Sequence, residues 1–426
     1  MRTTKVIVIH EHDCFPDEKS YHNYDSRLRD GFPLFPHGTP DFNQRYFIQR
    51  EGLDNEAGYR ASYMIGAQWI NTERDQIPVA VVPKIEHIDF LKMFMSCFYS
   101  NLAEDSFSKI YHIDTSKKEI ECQELDSILS PLIVLHFLAV TKSLIAKGLK
   151  KDYVNRDGNM HKVKGRLDIR KNEKTNVLTR RLDRFYCNYQ EYSEDIPENR
   201  IIKKALIISQ VILQKIQPQQ SEGAINILRK CLAVMSGVGN TIEQHGVSMI
   251  KHHKLFKEYE ESIRLAKLIL KRYDFSITKE GKKHDFVPVF WIDMPLLYEH
   301  YVYGLLSASY PDDIIYQAKG QTGYPDFLCK SHKLILDTKY IPDSDKNLDT
   351  YVIRQLSGYA RDKKILDQLK AGYKEVVPCV IIYPKEPVDN EVVNDFNKPL
   401  NELWKQYEGL VEFYTICVNL PNIVKR

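Results

Sequence analysis

The feature that most constrains this chain is a pair of short apolar runs, each carrying an aspartate at the end away from the connection between them. Tyr324-Pro325-Asp326-Phe327-Leu328-Cys329 and Leu334-Ile335-Leu336-Asp337-Thr338-Lys339-Tyr340 flank the polar connection Lys330-Ser331-His332-Lys333, which reads as an antiparallel hairpin. With the turn centred between Ser331 and His332, Asp326 faces Asp337 across the ladder. Opposed like charges destabilise a sheet, and an apolar strand is a poor place for them unless a cation lies between. Hard oxygen ligands that leave room for water and phosphate oxygens suit Mg²⁺, with Mn²⁺ as a substitute, rather than zinc. Side chains alternate along a strand, so Asp337 and Lys339 point to one face. That puts an ammonium beside the metal, where a nucleophilic water can be held, as in a phosphodiesterase site.

The flanks supply more polar groups. Trp291 to Leu306 reads as a helix with Asp293 as N-cap and Pro295 in its first turn. Leu297, Tyr301 and Gly304 fall on one stripe, and Glu299 sits at its edge, able to lend a third carboxylate. Downstream, Asp349 to Lys364 reads as a second helix in which Gln355 and Tyr359, four apart, share a face. Blander readings stand beside these: turn and strand-end aspartates, a solvated strand lysine, an exposed helix glutamate, a plain helix face.

The order Glu, Pro-Asp, apolar-Asp-x-Lys, Gln-x-x-x-Tyr resembles the PD-(D/E)xK nucleases with a RecB-like tail. More narrowly, Asp293-Met294 running into Leu297-Tyr298-Glu299 resembles the McrC family, the nuclease subunits of modification-dependent McrBC restriction systems. Tyr63-Met64-Ile65-Gly66, Val81 to Ile85, Gly165-Arg166-Leu167-Asp168 and Tyr192 to Arg200 are similar to the same family. The likeness begins near Tyr59 and is dense in the last third of the chain. It implies a DNA endonuclease with a restriction-endonuclease-like mixed sheet flanked by helices. Asp326, Asp337 and the carbonyl of Thr338 would hold Mg²⁺, Glu299 would bind it directly or through water, Lys339 would orient the water, and Gln355 and Tyr359 would position the backbone. It also implies a partner, a ring-forming AAA+ GTPase that recognises modified cytosine in DNA and translocates it. The N-terminal region would engage that partner, or else serve as a plain scaffold.

The fold class expected is multidomain α+β or α/β. A mostly β N-terminal domain covers residues 1–120, a helical middle region with a basic hairpin covers 121–285, and the nuclease domain covers 286–426. Strands are expected at Lys5 to His10, Arg45 to Gln49, Tyr59 to Ile70 and Ile77 to Pro83, with a helix from Ile88 to Leu102 and a long excursion over Phe15 to Gln44. Helices are expected at Leu125 to Leu149, Ile201 to Leu213, Ala224 to Met235 and Leu255 to Tyr273, and strands at Val376 to Tyr383 and Leu410 to Val418. Asp157-Gly158 reads as a hairpin turn returning through Lys162, Lys164, Arg166 and Arg170, with Arg180 and Arg181 beyond. These six contact a DNA backbone or form a solvated charged face. Asn199 and Arg200 read as capping and hinge residues first, and DNA contacts second. Lys251-His252-His253-Lys254 is not read as a metal site, because adjacent histidines do not share a helix face.

Charge is uneven: Lys142 to Phe185 holds fourteen Lys or Arg against five Asp or Glu, whereas residues 286–426 hold sixteen against nineteen. Phosphate affinity is therefore expected mainly upstream of the nuclease region. The eight cysteines show no Cys-x-x-Cys pair, which suits free thiols in a reducing cytoplasm. No leader and no membrane span are read. No Gly-x-x-x-x-Gly-Lys-Ser/Thr occurs, so any energy source must be a partner. Two rivals remain: a stand-alone RecB-like nuclease, and a non-catalytic adaptor that stimulates an AAA+ NTPase.

Overall fold

The computed structural model describes residues 6–14, 47–51, 58–71, 76–99, 109–114, 116–215, 222–241, 257–273, 286–341, 349–385, 396 and 400–422. The expected excursion over 15–44 and the Lys251–Lys254 run lie outside them. The chain is a mixed α+β protein with several sheets. It divides into two compact units: Met1–Leu132 with Lys282–Arg426, and Ile133–Gly281. Segments 1–120 and 286–426 thus share one unit.

In that first unit a five-stranded sheet runs in the order Ile7–His10, Gln76–Val82, Met64–Asn71, Val289–Asp293, Tyr111–Asp114. Val79, Ala80 and Val81 are fully buried, so this β-branched run is covered on both faces. Trp291 and Ile292 correct the expected helix: they lie in a strand paired with Met64–Asn71 on one side and Tyr111–Asp114 on the other. The aromatic, β-branched stretch Val289-Phe290-Trp291-Ile292 prefers a pleated surface, and the helix begins only at Met294. Asp293 caps it, its side chain accepting from Leu296 N–H, with Pro295 in the first turn. Helix Met294–Ser309 then packs on helix Phe90–Tyr99 at Gly304, where a Cβ would stand 2.6 Å from the Ser96 carbonyl oxygen. Only glycine allows that approach.

The second sheet of this unit has the order Ile314–Tyr316, Phe327–Cys329, Leu334–Thr338, Cys379–Lys385, Phe413–Asn419, Lys405–Gln406. Its first two pairings are antiparallel, and Leu334–Thr338, Cys379–Lys385 and Phe413–Asn419 run parallel. Leu334–Thr338 is buried throughout, as a central strand must be. Helix Thr350–Tyr359 covers one face through a core that includes Leu328, Ile335, Leu356 and Ile381. The other face meets helix Met294–Ser309, where Tyr303 stacks on Phe327 at 6.0 Å. Each fully buried Leu or Ile there contributes about 1.5–3 kcal/mol, so Leu356→Ala would cost about 2–5 kcal/mol.

The expected single helix Asp349 to Lys364 is two helices, Thr350–Tyr359 and Lys363–Leu369. Asp362 makes the break. Its carboxylate caps the second helix at Lys364 N–H and also accepts from Gln321 and Thr322 N–H, bonds unavailable to it within a continuous helix.

The unit Ile133–Gly281 is built on helices Pro197–Lys215, Glu222–Val234 and Lys257–Tyr273, with a three-stranded sheet of order Asp152–Met160, Phe185–Ser193, Arg166–Leu167. This overturns the Asp157-Gly158 turn. Both residues lie within a nine-residue strand, Asp157 opposite Asn188 and Gly158 opposite Cys187. The aromatic run Phe185–Ser193 supplies a long partner, and Asp157 gains Lys171 and Tyr186 as hydrogen-bond donors, so tertiary pairing wins over the local turn signal. Asn199 is fully buried inside the first helix, donating to the Lys150 and Glu194 carbonyls and accepting from Tyr259 Oη. Helix Gln123–Lys147 is long and apolar enough by length and composition to match a membrane span, which corrects the expectation that no run is. In its most apolar window 78% is buried, the signature of a core helix.

Candidate active site

The site forms where the hairpin ends. Phe327 pairs with Leu336, Leu328 with Ile335 and Cys329 with Leu334, the register that sets Asp326 beside Asp337. Thr338 turns both its N–H and its hydroxyl to Asp326 Oδ2, at 2.7 and 2.6 Å. Asp337 is only 2% exposed, and Lys339 Nζ forms an ion pair with its Oδ2. Lys339 is the one partner of that oxygen among the described residues. Glu299 reaches the same place from helix Met294–Ser309, accepting from Gln317 Nε2 at 3.0 Å.

The charges interact strongly. Burial, then the charge of Asp326, push Glu299 up to about 8. Burial and Asp326 likewise push Asp337 up to about 7, with Lys339 opposing. For Lys339 burial alone would lower the pKa, but Asp337 and Asp326 outweigh it and hold the ammonium above the ordinary lysine range. Asp326 and Asp337 therefore share the Lys339 ammonium while their charges also raise Glu299, a combination that suits an added cation. Among the described residues no three His, Cys, Asp or Glu side chains form a ready cage for an ion. Magnesium commonly takes one or two carboxylates and fills the rest of its shell with water and phosphate oxygens, so an all-oxygen donor set with an under-paired buried oxygen fits that ion.

Gln355 and Tyr359 come to this place together. Gln355 Nε2 donates to the Tyr359 hydroxyl at 2.9 Å, and Tyr359, raised mainly by burial, also feels Asp337, Lys339 and Asp326. The Tyr359 hydroxyl lies against Gly323, where a Cβ would come within 2.9 Å of it and where φ is +153°. Only glycine fits this position.

Two groups went unread in the sequence. Gln317, at φ +45°, anchors both ends of the carboxylate pair's surroundings: its side chain holds Glu299 and its N–H donates to the Asp326 carbonyl. Tyr316 also hydrogen-bonds Glu299. Neither lies in a recurring spacing, and only the strand Ile314–Tyr316 alongside Phe327–Cys329 brings them in.

The six basic residues do not join this cluster of contacts. Lys162, Lys164, Arg166, Arg170, Arg180 and Arg181 are all exposed in the unit Ile133–Gly281. Arg166 lies in a short strand, Arg170 in the helix Ile169–Asn172, and Lys164 Nζ stands 4.2 Å from the Tyr189 ring centroid. Arg200 instead binds Asp195 through two hydrogen bonds, at 2.6 and 2.7 Å.

The family model described as McrBC 5-methylcytosine restriction system component matches residues 60–359, more than half of the chain. Among solved structures, the chain is similar to a refined half-complex of Thermococcus gammatolerans McrB AAA+ hexamers with bound McrC. That match is 14% identical with a TM-score of 0.39, covering 98% of this chain and 95% of the other. A second, the Thermococcus gammatolerans McrBC complex, is 12% identical with a TM-score of 0.31, covering 72% and 88%. No curated protein sequence matches.

Proposed function

The chain belongs to the family of McrBC 5-methylcytosine restriction system components, and from that premise we propose that it is the nuclease subunit of such a system. In this reading it is a metal-dependent endonuclease that cuts DNA when assembled with a GTP-hydrolysing AAA+ partner. The observation that carries the reading is the gathering of Glu299, Asp326, Asp337 and Lys339 at one end of the second sheet. That sheet, flanked by helices Met294–Ser309 and Thr350–Tyr359, is read as a PD-(D/E)xK core.

Asp326, Asp337 and the Thr338 carbonyl would hold Mg²⁺, or Mn²⁺ in its place, with Glu299 bound directly or through water; the ion would supply charge to the scissile phosphate and an acidified water. Lys339, kept protonated by its carboxylate neighbours, holds the attacking water and offsets charge building on the phosphate. Gln317 fixes Glu299, and the Gln355–Tyr359 pair positions the DNA backbone. The exposed basic residues from Lys162 to Arg181 contact phosphates without reading bases. GTP hydrolysis falls to the partner, because this sequence holds no P-loop motif, and recognition of the DNA modification is assigned to the same partner by the family reading.

The test is cleavage of methylated and unmethylated plasmid with Mg²⁺, with and without a P-loop GTPase partner and GTP, beside Asp337→Ala. Cutting of methylated DNA only, requiring partner, GTP and Asp337, is the expected result. Partner-free cutting that Asp337→Ala abolishes would keep the site but make the protein a stand-alone nuclease. Full cutting by Asp337→Ala would overturn the site.

A further inference from the structure

The strand Ile7–His10 runs into Glu11, a carboxyl with no exposed surface. Its N–H donates to the Val82 carbonyl at 2.9 Å. Its Oε1 accepts twice, from Lys84 N–H at 3.0 Å and from the Tyr340 hydroxyl at 2.8 Å. Tyr340 is buried and directly follows Lys339 in the chain. Its ring meets Tyr63 edge-on at 5.8 Å and Tyr298 at 5.9 Å, and Tyr298 directly precedes Glu299. One cluster anchored on the N-terminal sheet therefore sits behind two of the positions that deliver site residues.

A buried carboxyl is a costly way to fill space. Glu11 Oε2 has no hydrogen-bond partner, and burial pushes the group up to about 7. Well-packed apolar side chains usually stabilise such a place as well or better. What a hydrogen bond adds is direction: it fixes where the Tyr340 hydroxyl points and thereby the backbone around it. Lys339 is held on its other side by its N–H donating to the Ile382 carbonyl at 3.0 Å, so the Glu11–Tyr340 bond completes a two-sided grip on the residue that carries the ammonium.

We infer that Glu11 is a positioning residue for the nuclease site, acting through Tyr340 to hold Lys339 in register, so that the site is complete only with the N-terminal sheet. This rests on the nuclease reading above.

The experiment compares full-length Glu11→Ala, Glu11→Gln and Tyr340→Phe with wild type and Asp337→Ala. Single-turnover cleavage of a methylated plasmid is followed with Mg²⁺, a P-loop GTPase partner and GTP, and hydrogen exchange is followed over residues 334–341. Glu11→Ala and Tyr340→Phe should lower the maximal rate about 10- to 100-fold, the scale of a small misplacement, with the KM for DNA unchanged. Glu11→Gln keeps an oxygen that accepts both hydrogen bonds and should stay within about threefold of wild type. Exchange over 334–341 should rise in the Ala and Phe variants, and exchange over 379–385 should not.

A wild-type rate for Glu11→Ala, a Gln variant as impaired as the Ala variant, or a loss expressed in KM alone would each overturn the inference. If wild type and Asp337→Ala alike fail to cut, it is the nuclease reading that fails. Hydrogen exchange then still decides the tether, and unchanged exchange over 334–341 in Glu11→Ala overturns it.

Discussion

Two largely buried aspartates, one in each compact unit, are treated in opposite ways. Asp195 is saturated: Arg200 binds both its oxygens, Gly239 N–H donates to Oδ1 at 2.8 Å, and Arg156 Nη2 donates to Oδ2 at 2.8 Å. Those donors, Arg200 foremost, hold it far below the ordinary carboxylate range against the opposing effect of burial. Asp337 has the Lys339 ammonium beside it, shared with Asp326, and is pushed up to about 7. A structural carboxylate is thus completed by its own chain, whereas the hairpin carboxylate is left short of positive charge. The deficit is what a divalent cation and a phosphate would make good, and it separates architecture from chemistry without appeal to motif.

The sharpest way to break this contrast is to remove each aspartate in turn. Asp337→Ala should reduce plasmid cleavage to background while costing less stability at neutral pH than loss of Asp195, because burial and Asp326 already oppose the ionised form of Asp337. Lys339→Ala should cost roughly 10²- to 10³-fold in the single-turnover rate, the scale of losing one positioned charge. Asp195→Ala should instead keep cleavage and lower stability by about 1–3 kcal/mol, since Arg200 loses two hydrogen bonds to that carboxylate while Arg156 keeps Glu191. Urea unfolding checks it. A stability loss in Asp337→Ala as large as that in Asp195→Ala would end the distinction.

The contrast also predicts a pH profile for the metal-free protein. Between 3.8 and about 7 for Asp337, and between 4.5 and about 8 for Glu299, the folded chain keeps protons the unfolded chain has released. Glu11 acts in the same sense between 4.5 and about 7. Stability should therefore fall as pH rises from about 6.5 to about 8, above the range in which the buried His136 and His300, lowered by burial to about 4, act in the opposite sense. Asp195 has the opposite sign: its contribution is present above its unfolded value of 3.8 and is lost as pH falls through the depressed folded value. Urea midpoints across the range should show a decline on the alkaline side that Asp337→Asn partly flattens. Midpoints that rise between about pH 6.5 and about pH 8 would contradict the deficit.

Legibility followed the same division. The hairpin could be read because strand alternation and a four-residue polar connection fix its register by local means, and Phe327 does pair with Leu336. Asp293 could be read as a cap because its hydrogen bond reaches only three residues on. Two of the misreadings are places where a distant partner overrides a local signal. Asp157-Gly158 became mid-strand because Phe185–Ser193 lies alongside, and helix Thr350–Tyr359 stopped because Asp362 caps the next helix and holds Gln321 and Thr322. Gln317 and Glu11 were invisible for the same reason: Gln317 reaches Glu299 across 18 positions and Glu11 reaches Tyr340 across 329.

The smallest expected effect concerns the unit that holds Asp195. Its exposed lysines and arginines include Lys164, whose ammonium lies 4.2 Å from the Tyr189 ring centroid, and Arg180 and Arg181 beyond the short helices. Each phosphate contact releases condensed counterions, so losing one changes the slope of log affinity against log salt by about 1. Lys162→Ala, Arg180→Ala and Arg181→Ala should each weaken duplex binding modestly and equally for methylated and unmethylated sequences, with the slope falling by about that unit. Asp337→Ala should leave the slope unchanged, because that carboxylate neutralises no phosphate. A slope that stays constant in the basic variants would make those residues a solvated face and put the phosphate contacts elsewhere. A slope that falls for one sequence only would mean that this surface reads bases, the task assigned above to the partner.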